Sequence, residues 1–151
     1  MSGHHLAQIN VGTLHHPLDA PETAEFVEAL GPINALAEAA PGFVWRLTDD
    51  EGGSSSYVAL PADDPLLIVN LSVWTDLASL KAFMYDTDHV AYLRRRGEWF
   101  ARVADVTSAC WWLPAGTVPS VDDAYARLLH LRAEGPSAHA WTLARPVDPP
   151  S

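Results

Sequence analysis

The sequence predicts an α+β fold in which a mainly antiparallel sheet is covered by helices on one face, formed as a single domain. Three observations predict it. Strand-like and helix-like runs alternate in the order strand, helix, strand, strand, helix, strand, followed by an extra helix. A length of 151 residues with 48% apolar side chains suffices for one core and not for two. No internal repeat or shift in composition divides the chain before a Pro-rich tail, so the domain spans 1–151, with its core at about 6–145 and the tail at 146–151.

The first strand is read from Ala7 to Leu14, where small or β-branched residues alternate with amides and leave one face wetter than the other. His15, His16 and Pro17 break it. A helix then opens at Asp19 or Pro21, with Glu22 and Glu25 in its first turn, where the helix dipole favours negative charge. Phe26, Val27, Leu30, Ile33, Leu36 and Ala37 recur at helical spacing, and Gly31-Pro32 is expected to kink that helix or split it. Pro41-Gly42 stops it before a short strand at Phe43 to Leu47 and an acidic, flexible loop at Asp49 to Ser56. A further short strand is expected at Tyr57 to Leu60. Leu66 to Trp74 is the strongest strand, almost continuously apolar and hence central. Asp76 caps the next helix, which carries Leu77, Leu80, Phe83 and Met84, and a second helical run begins near Asp88. Ala109 to Leu113 is another strand, in which Trp111 and Trp112 must point to opposite faces. Ser120 caps a helix that ends at Gly135-Pro136, and an edge strand is expected at Ala140 to Arg145. Helices on one side leave the other sheet face to be covered, and a second copy of the chain is the expected cover, giving a twofold homodimer.

Charge and composition then exclude whole classes. With 9 Lys+Arg against 19 Asp+Glu the formal charge is −10, unsuited to coating nucleic acid or an anionic membrane. No run approaches the roughly 18 apolar residues of a membrane helix, and the first residues lack the basic-then-apolar order expected of a signal peptide. The lone Cys110 forms no internal disulfide, which fits the reducing cytoplasm. No metal site is expected, because His4-His5 and His15-His16 stand as pairs without nearby cysteine and the acidic clusters lack the spacing of a Ca²⁺ loop.

The run from Ile68 to Trp74, a Leu-rich helix and then Thr87-Asp88-His89-Val90 resembles the dimeric α+β barrel superfamily of antibiotic-biosynthesis and quinol monooxygenases. Leu6 to Val11, Gly42 to Arg46, Asn70 to Trp74, the segment from Arg94 to Phe100 and Trp111 to Gly116 together resemble the DUF3291 family, over most of the chain. The resemblance implies a ferredoxin-like sheet, a dimeric barrel and, for the superfamily, secondary metabolism. It also implies cofactor-independent oxygenation of a hydrophobic phenolic or quinoid molecule. Some members carry an Asn and a Trp four residues apart on the central strand, with an Arg further on, and Asn70 and Trp74 match that spacing. Residues four apart share a strand face. In that role Asn70 stabilises developing oxyanion charge and Trp74 packs the ring. The alternative is that Asn70 satisfies a local backbone group and Trp74 fills the core.

His89 is the best lone titratable candidate for proton transfer, sharing a helical face with Tyr85, Tyr92 and Arg96. Tyr85 and Tyr92 would orient the substrate ring, Trp45 and Trp112 are further candidates to line the pocket, and Arg96 would anchor a substrate anion. Arg94, Arg95 and Arg96 point three ways on a helix, however, and pairing with Glu98 competes with any clamp. Haem held by His89 is a weaker alternative to having no cofactor, since nothing in the sequence signals it. A non-catalytic binding or structural dimer module, and a cyclase or isomerase using the same pocket, are the competing functions.

Overall fold

The computed structural model describes residues 3–48, 60, 62 and 64–150. Four strands, β1 (His4–Thr13), β2 (Phe43–Arg46), β3 (Leu67–Trp74) and β4 (Ser108–Pro114), form an antiparallel sheet in the order β2-β3-β1-β4. The helix α1 (Ala24–Ala39) connects β1 to β2, while α2 (Leu77–Met84) and α3 (Thr87–Arg94) connect β3 to β4. This is the α+β, ferredoxin-like arrangement that the sequence predicts. The helix α4 (Val121–Glu134) follows β4. Among the described residues no helix is long and apolar enough to cross a membrane.

Pleating assigns the side chains. Ala7, Ile9 and Val11 of β1 lie beside Val69, Leu71 and Val73 of β3 and enter one core with Trp111. The alternate set, Leu6, Gln8 and Asn10 with Asn70, Ser72 and Trp74, faces α1 and α2. As expected, Trp111 and Trp112 part company, one in each core cluster. Asp76 caps α2 by accepting the Ser79 N–H at 2.7 Å, and Ser120 caps α4 by accepting that of Asp123 at 3.1 Å.

Three expectations change. The helix α1 continues through Pro32, with Pro32 and Glu28 both exposed, so the carbonyl that proline cannot bond lies on the solvent side of the helix. The edge strand at 140–145 shrinks to one bridge, where Cys110 and Trp141 exchange backbone hydrogen bonds of 2.7 and 2.9 Å before the chain turns at Thr142 to Arg145. The face reserved for a second copy is buried within the chain itself. Ala124, Leu128 and Leu131 of α4 lie on it, with Trp45, Leu47 and Leu60 packed around them. Covering that face therefore needs no second copy. Of the strand expected at Tyr57 to Leu60, only Leu60 is a described residue, and it has no strand assignment.

Two glycines permit close approaches. A Cβ on Gly12 would collide with the Phe100 ring, and one on Gly42, at φ 82°, would collide with Ser79. Because α4 fills the second face through few side chains, Leu128→Ala should leave a cavity under it. Urea unfolding is expected to show a loss of about 2–5 kcal/mol.

Candidate functional site

Successive rows of cross-strand neighbours build the helical face of the sheet. Trp112, Leu6, Trp74 and Phe43 form one row, Cys110, Gln8, Ser72 and Arg46 the next, and Ser108, Asn10 and Asn70 a third. The first row is apolar and packs with Leu80 and Phe83 of α2. Beyond the third, Ile68 packs with Leu14, Trp99 and Phe26. Between these two apolar clusters lies a strip of amides and hydroxyls. Gln8 and Ser72 are buried, yet Asn70, in the middle of an inner strand and facing the helical layer, is exposed.

The helix above explains that exposure. Ala29, Ile33 and Ala37 recur every four residues along one stripe of α1, and both alanines are buried while Ile33 is only half-buried. Ala37 belongs to the cluster around Trp74, and Phe26 to the cluster around Ile68. Asn70 lies between Trp74 and Ile68 on β3, as Ile33 lies between Ala37 and Phe26 on α1. Between those two contacts Gln8 and Ser72 are covered and Asn70 is the accessible residue of the polar strip, which marks a recess in the helical face at Asn70.

Aromatic rings close both ends. On one side Phe43 meets Trp74 edge-on at 5.5 Å, Phe83 stacks on Trp74 at 5.2 Å, and the His89 ring lies 4.7 Å from Phe83. On the other, Phe26 meets Trp99 at 5.6 Å and Phe100 edge-on at 5.2 Å. The Gln8 amide donates to Ser108 Oγ at 3.2 Å and approaches Met84 Sδ at 3.8 Å. His89 Nδ1 lies 3.2 Å from the Met84 carbonyl. A carbonyl only accepts, so Nδ1 carries the proton and Nε2 holds the lone pair. Burial pulls the His89 pKa below the ordinary imidazole value, against the opposing effects of that hydrogen bond and of the Asp86 charge, and keeps the ring neutral at pH 7. Cys110, on the same face, is no nucleophile, since burial pushes its thiol up to about 12.

Asn70, Trp74 and His89 therefore stand on the same side of the sheet, with Met84 linking His89 to Gln8 in the floor. Trp74 is buried behind the recess and gives its indole N–H to Ser72 Oγ at 2.9 Å, so that N–H is already committed. The other candidates are placed elsewhere. Trp45 packs on the opposite face of the sheet. Trp112 lies under the C-terminal segment and donates to the Val147 carbonyl at 2.6 Å. Tyr85 is 76% exposed, and Arg96 is exposed on a short 3₁₀ turn. The Tyr92 side chain lies outside the described residues. Of the three consecutive arginines, Arg95 is the one held in place: it pairs with Glu98 at 2.8 Å and Glu25 at 2.8 Å and lies 4.8 Å over Trp99. That pairing is a brace between α1 and the loop after α3.

The polar floor is what sequence reading missed. Gln8 and Asn10 mark a wetter strand face, but only pairing with β3 and β4 adds Asn70, Ser72 and Ser108 to it. Arg46 was missed for a different reason. A bulge between Phe43 and Trp45 shifts the alternation, so that Phe43 and Arg46 share the helical face and Trp45 is turned away. Among the described residues no three His, Cys, Asp or Glu side chains gather as a metal set.

The lowered pKa of His89 has a testable consequence. The folded state binds this proton less readily than the unfolded chain, whose imidazole titrates at about 6.5. Its favourable effect is complete above that pH and is lost as pH falls through it toward the folded value. His89→Gln should therefore lose less stability than wild type between about pH 7.5 and 5.5, read by urea unfolding at each pH.

Comparison with known proteins was consistent with this architecture. No curated protein matches the sequence. A protein from Shewanella oneidensis, SO0527, superposes with a TM-score of 0.53 at 9% identity, covering 74% of this chain and 93% of that one. A conserved protein from Methanosarcina mazei Go1 superposes with a TM-score of 0.51 at 11% identity, again covering 74% and 93%. SnoaB, a cofactor-independent oxygenase from Streptomyces nogalater, gives 0.49 at 18% identity, with 76% and 95% covered. The first two likenesses establish a shared fold. The family model described as a domain of unknown function, DUF3291, matches residues 5–151, nearly the whole chain, and the protein belongs to that family.

Proposed function

We propose that the recess between the sheet and α1 binds a hydrophobic phenolic or quinoid molecule and oxygenates it without a cofactor. The observation that carries this reading is the combination of an exposed Asn70 in an amide and hydroxyl floor with a neutral His89 whose Nδ1 is fixed by the Met84 carbonyl. A planar ring suits the aromatic ends of the recess, and its hydroxyl suits the floor.

In this reading His89 Nε2 takes the phenolic proton, and the Asn70 amide N–H stabilises the phenolate. The electron-rich ring then reacts with O₂ at a ring methylene. One oxygen atom becomes the new carbonyl and the other leaves as water with the two methylene hydrogens, so the reaction balances with O₂ as the only oxidant. Binding without turnover is the second reading. It is favoured by the exposure of Tyr85 and Arg96, which removes from His89 the proton partner and the anion anchor expected beside it.

Oxygen uptake with anthrone-type substrates, which carry the ring methylene, separates the two. Turnover should fall about a hundredfold or more in Asn70→Ala and in His89→Gln. Uptake equal to wild type in both variants would sink the assigned roles, while calorimetric binding with no uptake in any form would establish the second reading. The absence of a Soret band from the active protein is the expected spectrum for chemistry without haem.

A further inference from the structure

We infer that Gln8 is a positioning residue for His89: through Met84 it holds the turn between α2 and α3 against the sheet, and so fixes where the His89 ring stands and which of its nitrogens carries the proton. Its effect on turnover rests on the reading of His89 as the base, while its effect on the ring stands without that reading.

The need for a partner comes first. Gln8 is 3% exposed in β1, an inner strand, and a buried amide is costly unless its N–H groups are bonded. Among the described residues two other polar side chains are buried, and both bond locally: Thr23 donates to the His16 carbonyl, and Ser72 accepts the Trp74 indole N–H within β3. Gln8 reaches further. Its Nε2 donates to Ser108 Oγ on β4 at 3.2 Å and to Met84 Sδ at 3.8 Å, so one side chain ties two strands to the last residue of α2.

Met84 is where that tie becomes a constraint on His89. The last carbonyls of a helix lack partners within it, and the one on Met84 takes the His89 Nδ1–H at 3.2 Å. A methionine side chain is flexible and packs adaptably, so packing alone does not fix it, and the amide N–H on its sulfur supplies the missing direction. The turn is otherwise made by its own backbone, with the Tyr85 N–H on the Lys81 carbonyl and the Asp86 N–H on that of Phe83, both at 3.0 Å, which shape the corner without attaching it to the sheet. Phe83 does attach it, stacking on Trp74 at 5.2 Å and meeting the His89 ring at 4.7 Å. A ring face is indifferent to which imidazole nitrogen holds the proton, however, and the carbonyl is not. Packing by Phe83 therefore places the ring, and Gln8, by placing the Met84 carbonyl, selects the tautomer that keeps the lone pair on Nε2.

The test is long-range proton–nitrogen NMR of the His89 ring in the whole chain at about pH 8, where the imidazole is neutral. Wild type should show the proton on Nδ1, with the signal assigned by its loss in His89→Gln. Gln8→Leu keeps the bulk and removes both N–H groups, and Met84→Leu keeps the carbonyl and removes the sulfur. Each should turn the single tautomer into a mixture, and the double variant should go no further than either, as one shared contact requires. With an anthrone-type substrate each should lower kcat about tenfold and leave KM within about twofold. Met84→Leu carries the test if Gln8→Leu does not fold. A ring proton that stays on Nδ1 in the folded single variants, or one found on Nε2 in wild type, would overturn the role of Gln8, and a changed tautomer with undiminished kcat would overturn its bearing on turnover. A changed tautomer with no oxygen uptake by any form, wild type included, would establish that role and sink the oxygenation reading instead.

Discussion

The pairing of β1 with β3, with Asn10 opposite Asn70, is the constraint on which the rest of the molecule depends. Side chains alternate along each strand, so this one register decides which residues face α4 and which face α1. A slip of β1 by a single residue would turn Ile9 toward α1 and bury Gln8 and Asn10 against the aliphatic face of α4. Burying amides without partners costs more than the exchange of hydrophobic contacts could return. Fold and site therefore share one determinant: the pattern that makes a dry core on one face leaves a polar floor on the other.

The two faces are treated differently by the elements that cover them. On one, α4 lies flush and fills the space with Ala124, Leu128 and Leu131, while Arg127 spreads over Trp111 and ties Asp123 to the His139 carbonyl. On the other, Ala37 of α1 packs in the cluster around Trp74 and Phe26 in the cluster around Ile68, and Asn70 between them stays exposed. Of the polar residues on the strands below, Gln8 and Ser72 are buried, and Asn70 is the one left accessible to water or a ligand.

Local charge runs against global charge in the same economical way. The chain is strongly acidic, yet its arginines sit where carboxylates meet them: Arg95 between Glu25 and Glu98, Arg127 beside Asp123, Arg46 beside Glu38. Most of these pairs are exposed and contribute little to stability. Arg46 differs in that only 14% of its side chain is accessible. Its neighbour across the strand is a site residue.

Much of this was legible in the sequence. Alternation along Ala7 to Leu14, the apolar run to Trp74, the caps at Asp76 and Ser120 and the opposed Trp111 and Trp112 depend on local periodicity and local hydrogen bonds, which a sequence displays directly. So does the coincidence of Asn70 and Trp74 on one face. Other features depended on which distant segments meet. Trp45 and Arg46 exchanged faces through a bulge that no local pattern marks, and Tyr85 and Arg96 turned to solvent because helical spacing gives shared faces but not the direction in which a face points. The covering of the second sheet face by α4 followed from long-range burial alone. The sequence by itself determined the elements, their polarity and the residues able to do chemistry. Only the tertiary structure decided which of them surround one recess, since that depends on register and packing between segments as much as one hundred residues apart, such as Gln8 and Ser108.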